Sequence, residues 1–481
     1  MATLTMKFSP LLLIFLSCFS NQIYALEGPE SVSDTHFHTV QLSSFLPASA
    51  CTDPPTTKGH NKRESTIKVF HRHGPCFRQG QDKNATAMPS LSELFSHDQL
   101  RVDSIHARLA PKSNANKVDE SKVNLPVKSG RTLSSGNYVV TIGLGTPART
   151  LSLIFDTGSD LTWTQCQPCI RSCYKQQDPI FNPSTSSSYS NISCNSAQCS
   201  QLVSATGNNP GCLSGSTCLY LIQYGDSSFT IGYFSKDELT LSATDVIPNF
   251  LFGCGQNNEG LFGLTAGIIG LGRDPLSLVS QTAQQYGKYF SYCLPSLSSS
   301  TGYLSLGKST ASLKNVNFTP FVSSQGTSFY FIDIIAITIG GQRLAINQSV
   351  FKTAGTIIDS GTVITRLPPG AYSVMSSVFK QLMARYPSAP AASILDTCFD
   401  LSNFTTVTFP KIAFTFGGNA EVGLAPSGIL IAANSTIFCL AFAANKAATD
   451  VGIFGNTQQK TLNVVYDVAG GNLGFGTAGC S

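Results

Sequence analysis

The chain has 481 residues, with 31 Lys+Arg against 27 Asp+Glu and only 12% charged residues, where an average domain has about 25%; Gly, Ser, Thr and Phe are abundant, a balance that favours strands and turns over surface helices. All seven histidines lie between His36 and His106, and residues 126–481 hold 18 Lys+Arg and 16 Asp+Glu. That stretch excludes a Ser-His-Asp triad, a Cys-His dyad and a His-ligated zinc hydrolase, and offers no basic stripe for nucleic acid.

At the N-terminus, Lys7 is followed by an apolar run from Pro10 to Phe19 and then by Ala25. This pattern predicts a signal peptide over 1–25. The run is short of the roughly 20 apolar residues of a membrane span, and no lipid-anchor signal follows, so no stable membrane anchor is expected. Residues 26–125 carry the alternating "STIKVF" and the amphipathic, helix-like "SLSELFSHDQLRVDSIHARL", and read as a propeptide. Its histidines would gain charge as the pH falls through about 6.5 and could loosen that segment from the rest. Six Asn-x-Ser/Thr sequons (Asn84, Asn191, Asn317, Asn347, Asn403, Asn434) suit passage through the secretory pathway. Of fifteen cysteines, Cys18 leaves with the signal, and Cys51 and Cys76 lie in the propeptide. The remaining twelve form an even set, as disulfides require. Seven of them crowd between Cys166 and Cys218, so at least one pairs outside that stretch or stays free. Cys166-x-x-Cys169 could suggest zinc, but in a secreted, cysteine-rich chain disulfides are the better reading, and no metal is expected.

The rest of the chain contains an internal repeat. "GNYVVTIGLGTPARTLSLIFDTGSDLTW" (136–163) is echoed by "FYFIDIIAITIGGQRLAI" (329–346) and "AGTIIDSGTVITRLP" (354–368). Each copy runs strand, Gly turn, strand, apolar residues and then Asp-Ser/Thr-Gly-Ser/Thr: Asp156-Thr157-Gly158-Ser159 and Asp359-Ser360-Gly361-Thr362. Downstream of each aspartate stands apolar-apolar-Gly, in "AGIIGLG" and "VGIFGNT", read as short buried strands where backbones approach closely. One Asp-Thr-Gly-Ser alone would read as a surface turn. Two copies in matching surroundings form a specific constellation, and an enzyme built on them must run its acid–base chemistry on carboxylates.

The constellation resembles the pepsin-like aspartic proteases over roughly residues 135–480. More narrowly it resembles their plant nepenthesin-type branch, in "DTGSDLTWTQCQPC", "YGDSSFTIGYFSKDELTL", "FLFGCGQNNEGLF" and the propeptide's "FHRHGPC". The resemblance implies an all-β, bilobal fold, with an N-terminal catalytic lobe over 126–320 (cysteine-rich insert 166–218), a C-terminal lobe over 321–481, and the active-site cleft between them. Asp156 and Asp359 would then face each other as the catalytic pair. Two close carboxylates cannot both ionise easily and so share a proton, the aspartic protease dyad being a known instance. One takes a proton from a bound water while the other polarises the scissile carbonyl, at acid pH and with no cofactor. Gly158 and Gly361 would bring backbone N–H groups to the carboxylates, Thr157 and Ser360 would tie the lobes together, and Ser159 and Thr362 would sit beside the outer carboxylate oxygens.

By the same resemblance Tyr224, with Gly225 and Asp226, belongs to a flap over the substrate, and Trp163 offers its indole N–H to the tyrosine hydroxyl. Ser227 and Ser228 stand where many such flaps carry Gly. The implied disulfides are Cys166–Cys169, Cys173–Cys254, Cys194–Cys218, Cys199–Cys212, Cys293–Cys480 and Cys398–Cys439. The expected protein is a monomeric, secreted aspartic endopeptidase, apoplastic or vacuolar, acting on protein or peptide substrates. A catalytically weak, pepsin-like binding or inhibitor protein is the alternative.

Overall fold

The computed structural model describes residues 36–46, 51, 65–77, 90–109, 138–224, 227–260, 262–296, 299–308, 315–322, 328–477 and 479–480. The expected signal peptide, Asn84, Gly225 and Asp226 lie outside them. Strands dominate, and the fold is all-β and bilobal. Strands β3 (Tyr138–Leu144) and β4 (Arg149–Asp156) form an antiparallel pair, and β4 runs parallel to Gly267–Gly270 with Asp156 opposite Gly270. Strand β5 (Trp163–Gln165) flanks Gly267–Gly270 from the other side. The second half repeats this plan: Thr356–Ile358 runs parallel to Gly452–Phe454, which Thr365–Leu367 flanks. Each aspartate thus ends a strand covered on both faces, which is why it follows an unbroken apolar run; Phe155, Ile357 and Ile358 have no exposed surface. A Cβ on Gly267 would collide with the Trp163 carbonyl oxygen, and one on Gly270 with that of Asp160, so the apolar-apolar-Gly motifs are close backbone crossings.

Three pieces of the N-terminal region are built into this body. Strand β1 (Phe37–Gln41) pairs with Thr406–Pro410 of the C-terminal half. Strand β2 (Ser65–His71) inserts between Thr301–Leu306 and β3, joining a sheet whose further strands, Tyr289–Cys293, Asn463–Asp467, Asn472–Gly476 and Val316–Pro320, come from both halves. Helix α1 (Leu91–Leu109) is started by a reciprocal cap, in which Ser90 N–H donates to Glu93 Oε2 at 2.9 Å and Glu93 N–H to Ser90 Oγ at 3.2 Å. Its buried face, Phe95, Asp98, Val102 and Ile105, recurs every three or four residues. Phe95 packs with Val363, Ile364 and Leu395, and Val102 and Ile105 with Phe329, Phe331, Ile357 and Ile453.

Four expected disulfides are corrected. Cys166 bonds Cys254, because β5 runs beside Gly253–Gly255 and carries Cys166 to within 5.4 Å (Cα–Cα) of it. Cys169 and Cys173 then close a short loop on each other. In the insert, burial sorts the pairs. Cys199, on the short helix Ala197–Ser200, faces the buried Cys218, while the more exposed Cys194 and Cys212 join outside. Cys293 bonds Cys480, and Cys398 bonds Cys439. Cys51–Cys76 adds a seventh bridge, within the N-terminal region. Among the described residues no helix is long and apolar enough to cross a membrane.

Candidate active site

The two strand ends bring Asp156 and Asp359 together, 1% and 0% exposed. Their loops mirror each other. Gly158 N–H donates to Asp156 Oδ1 at 3.0 Å, and Gly361 N–H to Asp359 Oδ1 at 3.1 Å. Ser159 Oγ donates to Asp156 Oδ2 at 2.6 Å, and Thr362 Oγ1 to Asp359 Oδ2 at 2.5 Å. Between the loops, Thr157 N–H donates to Ser360 Oγ at 3.0 Å and Ser360 N–H to Thr157 Oγ1 at 2.9 Å. This reciprocal pair locks one half to the other directly beneath the carboxylates. Gly361 admits no side chain: a Cβ there would run into Asp156 Oδ1.

Arg101 of α1, absent from the sequence-level expectations, occupies the space between the carboxylates. Its Nη2 donates to Asp156 Oδ1 at 2.6 Å and to Asp359 Oδ1 at 2.9 Å, and its Nε to Asp359 Oδ2 at 3.0 Å. Burial pushes both carboxyls up. For Asp156, the Arg101 charge, the Ser159 hydroxyl and the Gly158 N–H outweigh burial and hold the group below its ordinary value. For Asp359, burial and the neighbouring Asp156 charge win over Arg101, and the group sits above its ordinary value. Burial opposes the Arg101 charge, but the two carboxylates more than restore it. One turn earlier, Asp98 accepts from Val363 N–H (2.6 Å), Ile364 N–H (3.2 Å) and Arg366 Nη2 (3.0 Å). One signal in the sequence could have found these groups: an Asp and an Arg one turn apart, beside Phe95 and Val102 on the inner side of an amphipathic segment.

Tyr224 directly follows the strand Thr217–Gln223, which pairs with Phe229–Ser242 as a hairpin. Its hydroxyl accepts from Trp163 Nε1 at 2.8 Å, and both rings meet Phe262 edge-on. Ser227 has φ 66°, the left-handed conformation that glycine adopts freely. The five described sequon asparagines, Asn191, Asn317, Asn347, Asn403 and Asn434, are all exposed.

Residues 138–308 match the family described as "Xylanase inhibitor N-terminal", and residues 329–477 match "Xylanase inhibitor C-terminal". The chain is 53% identical over 473 residues to an aspartyl protease family protein of Arabidopsis thaliana, covering 98% of each. It is 37% identical over 396 residues to aspartic proteinase nepenthesin-2 of Nepenthes gracilis, covering 80% of this chain and 85% of the relative. Among solved structures, "Crystal structure of edgp" superposes with a TM-score of 0.58 at 23% identity, covering 71% of this chain and 91% of that one, a likeness of fold.

Proposed function

Because the chain belongs to the pepsin-like family of plant aspartic proteases, we propose that it is a secreted endopeptidase, made as a zymogen, that hydrolyses peptide bonds at acid pH. The observation that carries this reading is the pair Asp156 and Asp359, buried, mirrored in the hydrogen bonds of their own loops, and near enough for one guanidinium nitrogen to touch both. With α1 displaced, a water takes the place of that nitrogen. One carboxylate draws a proton from the water, the protonated partner donates to the scissile carbonyl oxygen, and the tetrahedral intermediate collapses as a proton passes to the leaving amine. Burial and the Asp156 charge already raise Asp359 in the closed state, and with Arg101 gone the two neighbouring carboxyls favour one shared proton.

On this reading residues 1–25 are a signal peptide, 26–125 a prosegment closed over the dyad by α1, and 126–320 and 321–481 the two catalytic lobes, with Tyr224 on the flap. Seven disulfides and the exposed sequons support an oxidising, secretory route. A second reading, an inhibitor or binding protein on the same fold, is favoured by the description that its family carries, "Xylanase inhibitor".

The deciding experiment is peptide cleavage by the acidified precursor from about pH 2.5 to 7, with and without pepstatin, beside an Asp156→Asn control. Cleavage that pepstatin blocks and the variant lacks, by at least about 10³-fold, is the expected result. Silence after verified prosegment removal would favour the binding protein.

A further inference from the structure

The contacts of Asp98 describe a carboxylate-binding pocket in the wall of the cleft. Val363 N–H and Ile364 N–H point the same way and grip the two carboxylate oxygens separately, and successive N–H groups so arranged form an anion-binding nest. Arg366 closes the pocket. Its side chain is fully buried, with Nη2 on Asp98 Oδ2 at 3.0 Å and, at 3.4 Å, on Gln99 Oε1, and Nη1 on the Ile364 carbonyl at 2.9 Å. Among the described residues Asp98 is the one carboxylate within ion-pair distance of Arg366, and it belongs to α1, not to the lobes. Whatever displaces α1 therefore meets a preformed guanidinium with two N–H donors and no counter-charge, a costly arrangement to leave empty.

We propose that this pocket, Val363, Ile364 and Arg366, is a substrate subsite that selects a peptide carrying an aspartate or glutamate side chain, with Asp98 standing in for that carboxylate in the closed state. The proposal rests on the protease reading above. Position follows from the helix: Asp98 lies one turn, about 4.5 Å of rise, from the dyad-bound Arg101, and an extended peptide advances about 3.3 Å per residue. The acidic side chain therefore belongs one or two residues from the scissile bond. Its neighbour Thr362 touches Asp359 directly, so a carboxylate held here also fixes the peptide against the dyad.

The test uses prosegment-cleaved protein at about pH 5.5, where a substrate glutamate is ionised. End-blocked peptides carry Glu or Gln, and Asp or Asn, at each position up to three from the cleaved bond. The expected result is a preference for the acid over its amide at one position of about tenfold or more in kcat/KM, carried by KM. In the joint Asp98→Asn, Arg366→Gln variant, which leaves no unpaired charge in the precursor, the acid-to-amide ratio should fall to near one. Equal cleavage of acid and amide peptides by the unaltered protein overturns the proposal, whether or not the variant folds, while the protease reading stands. If no peptide is cut, the protease reading fails, and calorimetric titration of the same Glu and Gln peptides into the cleaved protein judges the pocket: tighter binding of the acid upholds it, and equal binding overturns it.

Discussion

Asp160 lies four residues beyond the first aspartate of the dyad, wholly buried, its Oδ1 accepting from Asp274 N–H at 2.9 Å. Burial pushes its carboxyl up to about 7, and the nearby Asp274 charge adds to the effect against hydrogen bonds from the Asp274 N–H and the Ser328 side chain. A folded-state value above the unfolded 3.8 makes the carboxylic acid, not the carboxylate, the form the fold prefers. Stability from this residue is therefore complete below about pH 4 and declines as the pH rises through 7, by up to about 4 kcal/mol. Urea unfolding at both ends of that window should show the decline, and Asp160→Asn should flatten it; an unchanged slope in the variant would assign the dependence elsewhere. Burial thus raises a carboxyl beside the pair as well as within it, in a residue whose number of neighbours no linear motif displays.

At the scale of elements, α1 is held by charge at its centre and by apolar contacts on either side. Arg101→Gln leaves the dyad without its counter-charge, and loss of one partner from so buried an ion pair costs roughly 3–5 kcal/mol. Docking of the helix should weaken, and uncut precursor should begin to cleave a test peptide at a pH where the unaltered precursor is silent. A silent variant would mean that the apolar contacts alone keep the cleft shut. Strand β1 carries His38, which packs on the Phe409 ring. Burial lowers its pKa, and the Lys411 charge lowers it further against a hydrogen bond with the Leu424 backbone. A depressed value means that the strand docks fully above about pH 6.5 and loosens as the pH falls through the folded-state value. Amide exchange over Phe37–Gln41 should accelerate on acidification, and His38→Phe should remove the acceleration. Equal rates in both proteins would mean that His38 does not set the response.

Across the whole molecule the N-terminal region is part of the architecture rather than a cover. With β1 in one half, β2 inside the shared sheet and α1 across the dyad, its removal is a rearrangement of both halves. Strand β2 is hydrogen-bonded along both edges and buries Ile67 and Val69. A cut following α1 should therefore leave β1 and β2 associated with the rest of the protein at neutral pH, seen as co-elution on sizing followed by mass analysis. A body that elutes free of them would mean that another segment takes over the β2 position. Much of this protein was legible in its sequence, because short-range chemistry writes it there. An aspartate after an unbroken apolar run, glycine where backbones cross, and a second copy of both suffice for the all-β repeat and for the Asp156–Asp359 pair. The absence of histidine after His106 narrows the chemistry to carboxylates. Cys293–Cys480 and Cys398–Cys439 are paired as the resemblance implied, but only the tertiary structure decided the other partners, since strand alignment brings Cys254 to Cys166 and burial sorts the four cysteines of the insert. It also decided that Arg101 fills the dyad and that Asp98 sits on Arg366. Arg101 reaches Asp156 across 55 residues of chain and Asp359 across 258, and Asp98 reaches Arg366 across 268; an amphipathic spacing can mark the inner face of a helix, but which groups that face meets depends on how two folded halves and a helix pack.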